Sequence, residues 1–324
     1  MSETITSPGV DVSVVIPVYN EEASLDELRQ ELFPVLEGLG KSFEVVFVDD
    51  GSTDKSPEIL RSFHEADPRV RVVRFARNFG QQMANTAGLK YARGHAVVIM
   101  DADLQTPAKH IPELLDKLAE GYDIIYGKRE RIKGPLYRRI GTRIANHLIC
   151  RMTGFSIPDS ASGFLALDEK LVHNVNRFND KSRYLSGLFA WLSYGRYAWV
   201  PVTRRERLHG ESRYSAWQLV RIVLNFITSF SVRPLHFAFF LGFCVLGLAL
   251  LLGIRWGYVL WQSGFQASEL TLFSALLALV AGIQLLYLGI LGEYVGRIYR
   301  EVREHPPYVI SHVYGADEHG YHDH

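Results

Sequence analysis

Short apolar runs and leucine-rich stretches take turns along the N-terminal part of the chain. Val12 to Ile16 reads as a buried strand stopped by Pro17, after which Leu25, Leu28, Leu32, Leu36 and Leu39 recur at helical spacing. Asn20 is placed to cap that helix, with Glu21 and Glu22 in its first turn. Further strands are predicted at Phe43 to Val48, Val70 to Phe75, Ala96 to Met100 and Ile124 to Tyr126. Helices fall between them: one opening with Ser56 and Pro57, one reaching Tyr91 after Arg77-Asn78-Phe79-Gly80, and one spanning Pro107 to Glu120. Strands that are apolar throughout are buried on both faces. With helices alternating, they predict an α/β domain built on a mostly parallel sheet.

Polar clusters follow these strands at Tyr19-Asn20-Glu21, Asp49 to Asp54 and Asp101 to Gln105. Open α/β sheets bind ligands in the crevice outside the carboxyl ends of their strands, so these clusters are expected to line one site. Asp101-Ala102-Asp103 is its chemical centre. Alternate residues of an extended chain point the same way, and two carboxylates a residue apart, costly to leave without partners, suit a hard divalent cation that also grips phosphate. A bare carboxylate crevice would repel a diphosphate, so a nucleotide here calls for metal. The chain has neither Gly-x-Gly-x-x-Gly nor a Walker lysine motif, which argues against a dinucleotide oxidoreductase and a P-loop NTPase.

The pattern changes toward the C-terminus. Phe237 to Ile254 and Leu270 to Gly292 contain no charged residue, and each approaches or exceeds the roughly 20 residues that cross a bilayer as a helix. Arg221 and Arg233 precede the first run and Arg297, Arg300 and Arg303 follow the second, whereas the connection offers only Arg255. The positive-inside rule then puts both ends and the N-terminal domain in the cytoplasm. Tyr214, Trp217, Leu219, Val220, Ile222, Val223 and Phe226, interleaved with Arg213 and Arg221, predict an interfacial helix leading into the first span. Gly292 and Gly296 have the spacing of close helix packing, compatible with a homo-oligomer. The expected divisions are a catalytic domain over 1–203, basic and amphipathic juxtamembrane helices over 204–234, two transmembrane helices over 235–296, and a cytoplasmic tail over 297–324.

Composition changes this picture little. Thirty-five basic residues balance 35 acidic ones, so nothing global points to nucleic acid. The local excess is Lys128, Arg129, Arg131, Lys133, Arg138, Arg139 and Arg143 against Glu130, a stretch able to hold an anionic substrate or a lipid phosphate. Met1 to Asp11 lack an apolar run, which argues against a cleaved signal peptide. Cys150 and Cys244 lie far apart and are expected to be small buried apolar residues.

Several segments together resemble a known family: Val14-Val15-Ile16-Pro17-Val18-Tyr19-Asn20-Glu21-Glu22, Val48-Asp49-Asp50-Gly51-Ser52-Thr53-Asp54, Asn78-Phe79-Gly80-Gln81 and Asp101-Ala102-Asp103-Leu104-Gln105. They look like family-2 glycosyltransferases of the GT-A fold. The likeness is closest to the membrane-bound polyprenyl-phosphate branch of dolichol-phosphate mannose synthases, bactoprenol glucosyltransferases and undecaprenyl-phosphate aminoarabinose transferase. It continues through Gly187 to Trp191, Arg207 to Tyr214 and Leu291 to Tyr299, nearly the whole chain.

The resemblance implies that Pro17, Tyr19, Glu21 and Asp50 hold the base and ribose of a nucleotide-sugar donor. Asp101, Asp103 and Gln105 would hold Mg²⁺ or Mn²⁺ on its diphosphate, and Asp159 would be the family's catalytic acidic residue beside Asp103. The sequence departs from the family around Asp159, where Gly163 precedes Phe164 and Leu165 follows. The acceptor implied is a polyprenyl phosphate, with Arg129, Arg131, Arg138, Arg207 and Arg213 as candidates for its phosphate. The implied product is a lipid-linked sugar made by inversion, from a UDP- or GDP-linked donor with the likeness to bactoprenol enzymes favouring UDP, at the cytoplasmic face of a bacterial inner membrane. Competing readings are a processive polysaccharide synthase, whose Gln-x-x-Arg-Trp motif is absent here, and a non-catalytic nucleotide-sugar-binding scaffold.

Overall fold

A computed structural model describes residues 9–129, 161–178, 185–203, 205, 233–263, 267–302 and 306–315. The chain divides into two compact units, Met1–Ala216 with His305–His324, and Trp217–Glu304.

The first unit is built on an eight-stranded sheet. In chain order its elements are β1 (Val10–Val18), α1 (Leu25–Gly38), β2 (Phe43–Asp49), α2 (Ser56–Ala66), β3 (Val70–Phe75), α3 (Gln81–Tyr91), β4 (Gly94–Ile99), a 3-10 turn (Ala108–His110) and α4 (Ile111–Ala119). They continue with β5 (Ile124–Arg129), β6 (Ala161–Asp168), α5 (Glu169–Arg177), α6 (Leu185–Leu192), β7 (Tyr197–Val202) and, after the second unit, β8 (Ile310–Tyr314). The strand order is β7-β5-β6-β4-β1-β2-β3-β8. β4, β1, β2 and β3 run parallel, as do β5 and β7, whereas β6 and β8 are antiparallel to their neighbours. The expected mostly parallel α/β sheet is therefore present.

Strand alternation sorts the core onto two faces. Val12, Val14, Ile16 and Val18 of β1 pack with Leu25, Leu28, Leu32 and Leu36 of α1 on one face. Val15 packs with Ala84 and Ala87 of α3 on the other. Sheets covered on both sides need strands without a polar face, which is why these read as continuous apolar runs.

Two local expectations are corrected. Pro17 does not stop β1, which runs on to Val18. The Val15 carbonyl accepts the N–H of Met100, so odd-numbered residues of β1 face β4, where pairing ends at Val15 opposite Ile99. The N–H that Pro17 lacks would point past the end of that ladder, so the ring costs no sheet hydrogen bond. Asn20 does not cap α1, which starts at Leu25. Its backbone is left-handed, at φ 55°, and its side-chain carbonyl instead accepts the Thr53 N–H at 2.8 Å.

β8 was not foreseen in the sequence. It joins the free edge of β3, with Val73 opposite Val313 and Val72 opposite Tyr314. Its end is tied to a buried polar cluster: Arg71 donates to the Gly315 carbonyl at 3.0 Å and lies 3.4 Å from Glu44, which accepts the Ser13 hydroxyl at 2.6 Å.

The second unit contains α7 (Arg233–Ser263) and α8 (Ala267–Val302), which contact each other. Among the described residues, Leu279–Gly296 is long and apolar enough to cross a membrane, and the apolar stretch Gly242–Arg255 is shorter. Two crossing helices were expected; one meets the criterion. Large apolar side chains on both helices are exposed, among them Phe240, Leu250, Leu285 and Ile298. Cys244, expected to be buried, is exposed on α7. It lies on a helix whose neighbouring apolar side chains also face outward.

Candidate active site

The parallel strands β1, β2, β3 and β4 end along one edge. β1 lies between β2 and β4: α1 leads from it to β2 on one face of the sheet, and α3 leads from β3 back past it to β4 on the other, so the ends of β1 and β4 flank the switch point at which such sheets take their ligands. Pro17 and Tyr19 stand at one lip of this switch point and Asp101 at the other.

The loops after β1 and β2 lace together. Ser52 accepts the Asn20 N–H at 3.0 Å, Ser56 accepts the Glu21 N–H at 2.9 Å, and Asp54 accepts the Glu22 N–H at 3.1 Å. Glu21 accepts the Ser24 hydroxyl at 2.8 Å, and Tyr19 is 47% exposed, its ring available to a ligand. Gly51 has φ 69°, and a Cβ there would lie 2.4 Å from the Arg77 backbone. Only glycine lets the β2 and β3 ends approach so closely.

Asp50 is nearly inaccessible, at 2%. Its two oxygens accept the backbone N–H groups of Phe79, at 2.7 Å, and Gly80, at 2.8 Å. Burial pushes its carboxyl above the ordinary value, against these two amide bonds, and the charge of Asp49 acts in the same upward sense. Asp49 itself accepts the Ser52 N–H at 2.8 Å and meets the Arg74 guanidinium at 3.2 Å.

Asp101 and Asp103 occupy the turn after β4. Gln81, the first residue of α3, donates to Asp101 at 2.6 Å. The antiparallel register of β6, which sets Leu165 opposite Ile99, brings Gly163 against Asp101. A Cβ on Gly163 would lie 2.6 Å from both Asp101 carboxylate oxygens, so glycine is required to leave that carboxylate its place. Asp103 accepts the Gln105 N–H at 3.1 Å, and Leu104 between them is left-handed, at φ 57°, with its side chain buried in the core. A bulky residue held there costs about 1–3 kcal/mol, which the burial of Leu104 offsets. The carbonyl of Gln105 accepts the Arg205 N–H at 2.9 Å, and Gln105 is itself buried.

Among the described residues, no group of three or more His, Cys, Asp or Glu side chains converges as a metal cage. The donors present are nevertheless right for Mg²⁺ or Mn²⁺. Such ions take one or two carboxylates and complete their shell with substrate phosphate and water. The space left by Gly163 keeps Asp101 in position for that role.

The structure thus gathers Pro17, Tyr19, Glu21, Asp50, Asp101, Asp103 and Gln105 along the ends of adjacent strands. Arg129 closes β5 opposite Val202. Asp159, Arg131, Arg138, Arg207 and Arg213, and the expected interfacial helix, lie outside the described residues. Sequence reasoning did not assign roles to Gln81, Gly163 or the Phe79 and Gly80 amides. Asn78-Phe79-Gly80-Gln81 was visible as a motif, but its partners are distant in sequence.

Residues 13–175 match the family described as Glycosyl transferase family 2. The chain is 38% identical over 312 residues to the Uncharacterized glycosyltransferase YkcC of Bacillus subtilis (strain 168), covering 95% of each protein. It is 35% identical over 309 residues to an Undecaprenyl-phosphate 4-deoxy-4-formamido-L-arabinose transferase of Pseudomonas paraeruginosa, covering 94% of this chain and 91% of that one. A solved mycobacterial protein structure superposes with a TM-score of 0.50 at 24% identity, over 69% of this chain and 75% of that one. The sheet with its carboxylate pair after β4 has the GT-A fold, and the chain belongs to glycosyl transferase family 2.

Proposed function

We propose that this protein moves a sugar, with inversion, from a UDP-linked donor to the phosphate of a polyprenyl lipid, undecaprenyl phosphate, at the cytoplasmic leaflet of a bacterial inner membrane. The lipid-linked sugar would supply cell-envelope glycan or lipid modification. The observation behind this reading is the Asp101–Asp103 turn at the switch point, with Gly163 opposite Asp101. The near full-length likeness to a protein named for undecaprenyl-phosphate transfer, and the exposed apolar helices, point to the lipid.

In this reading Tyr19 and Pro17 receive the base, Glu21 the ribose, and Asp50 shapes the pocket by holding the Phe79–Gly80 turn. Asp101 and Asp103, with Gln105, would hold a divalent cation, which when bound offsets charge growing on the leaving diphosphate. A lipid monophosphate has a second pKa of about 6 and is largely dianionic at neutral pH, by analogy with phosphoserine. Its oxygen bonds to the anomeric carbon as the bond from that carbon to the diphosphate oxygen breaks, and UDP leaves. No strong base is needed, so in this reading Asp159 assists rather than drives the step, and Asp159→Asn should retain partial activity. Arginines must bring the two anions together. The candidates are Arg129, Arg131, Arg138, Arg207 and Arg213. Arg207 follows closely on Arg205, which is anchored by its N–H to Gln105 and by its guanidinium to Glu31 at 2.6 Å.

The test is purified protein with UDP- and GDP-sugars, undecaprenyl phosphate and Mn²⁺ or Mg²⁺, the lipid product being read by mass. Asp103→Ala should abolish transfer in a folded protein, since losing a metal ligand costs on the order of several kcal/mol in the transition state. Transfer to the free lipid alcohol as readily as to its phosphate, or a product that retains the donor's anomeric configuration, would sink this reading.

A further inference from the structure

The turn that holds Asp50 and leads to Gln81 is backed by a residue from the far end of the sequence. Tyr308 enters the first unit just before β8 and stacks on Phe75, the last residue of β3, with ring centroids 4.9 Å apart and planes at 15°. Phe75 in turn meets the edge of Phe79 at 5.7 Å and 89°. The backbone is pinned beside this stack: the Ala76 N–H donates to the Val309 carbonyl at 2.8 Å, and the Ser311 hydroxyl donates to the Arg74 carbonyl at 3.1 Å. The Arg77 guanidinium lies 4.4 Å from the Phe79 ring centre.

Phe79 is thus in contact with both Phe75 and Arg77 while its N–H is fixed on Asp50. One residue on, Gly80 donates to the second Asp50 oxygen from a left-handed backbone at φ 94°. The next residue, Gln81, reaches Asp101. Each link touches the next, from Tyr308 to the carboxylate expected to meet the diphosphate.

We propose that Tyr308 is a positioning residue: its stack on Phe75 sets Phe79, and through the Phe79–Gly80 amides and Gln81 it sets the placing of Asp50 and Asp101. Its functional consequence rests on the proposed nucleotide-binding role of this crevice. Packed aromatic pairs have a preferred offset and transmit position in a way that a flexible side chain does not. Gln81, bonded to Asp101, is the partner one step removed from that carboxylate, and loss of such a partner typically changes affinity by about 10–100-fold; Tyr308 acts on it from further out, which sets its effect at the low end of that range.

The experiment uses full-length protein with Tyr308→Phe, Tyr308→Leu and Tyr308→Ala. Binding of UDP in the presence of Mn²⁺ is measured, with GDP alongside, together with hydrogen exchange of the 76–82 peptide and thermal melting. Tyr308→Ala should weaken Mn²⁺-dependent UDP binding by about tenfold and speed exchange of the Phe79 and Gly80 amides, leaving β1 and β2 protected. Tyr308→Phe should restore both. Tyr308→Leu keeps apolar bulk at the sheet edge without the stack and should behave like alanine, which guards against simple unfolding. Unchanged binding and unchanged Phe79–Gly80 exchange in Tyr308→Ala, or a Tyr308→Phe as defective as alanine, would overturn the proposal. Failure of the wild type to bind either nucleotide would refute the crevice reading instead, while the exchange arm still decides whether Tyr308 holds the turn.

Discussion

Gly163 and Asp101 form the residue-level constraint that bears most directly on the carboxylate pair. The Cβ that any other residue brings would sit 2.6 Å from both carboxylate oxygens. Gly163→Ala should therefore displace Asp101 and lower Mn²⁺-dependent UDP affinity by about tenfold or more, with melting nearly unchanged; equal affinity in titration calorimetry would show that Asp101 is not held for the metal. Asp50 gives a pH-dependent prediction. Burial raises its carboxyl above 3.8 in the folded protein, so the folded state holds that proton more tightly than the unfolded chain. The resulting stabilisation is complete below the unfolded value and fades as pH rises through the folded value. Asp50→Asn lacks this fading, so as pH rises above the ordinary carboxylate value the variant's melting temperature relative to wild type should climb and then level off. A difference independent of pH would rule out burial of Asp50 as its source.

At the scale of elements, the buried cluster of Ser13, Glu44 and Arg71 ties together the starts of β1 and β2, the start of β3, and the end of β8. Arg71 and Glu44 are almost fully enclosed, and Arg71 also donates to the carbonyls of Tyr91 and Gly315. Removing one member of a buried ion pair leaves the other charge without compensation, typically about 3–5 kcal/mol. Arg71→Met should lower stability on that scale, and the double variant Arg71→Met with Glu44→Leu should recover much of the loss. Denaturation of the single and double variants measures both; equal stability of the single variant and wild type would show that the pair contributes nothing.

For the whole molecule, the return of the chain as β8 after α8 makes the C-terminal segment part of the catalytic sheet. Ending the chain after Val302 would bare the β3 edge, an unpaired strand that invites aggregation. Such a protein should aggregate and lose Mn²⁺–UDP binding; a monodisperse truncation with normal binding would contradict this. The proposed topology has its own check. Arg221, Arg233, Arg297, Arg300 and Arg303 flank the apolar segments, with Arg255 alone between them. Ser263→Cys should then react with an impermeant thiol reagent on spheroplasts while Ser2→Cys does not. The opposite pattern would invert the proposed orientation.

The apolar run located Val70–Phe75 at its observed bounds, and the helix expected after Gly80 ends at Tyr91 as read, because a strand buried on both faces leaves a local trace and a helix must follow it in an alternating α/β chain. Asp101-Ala102-Asp103 was legible for the same reason: it terminates an apolar run. Pro17 was misjudged because the harmlessness of its missing N–H depends on where β4 stops pairing. The antiparallel place of β6, the glycine against Asp101, the amides on Asp50 and the docking of β8 came only with the tertiary structure. Each depends on a contact between residues far apart in sequence. Periodicity reports which side of an element is buried, but it has no record of which distant backbone arrives to bury it.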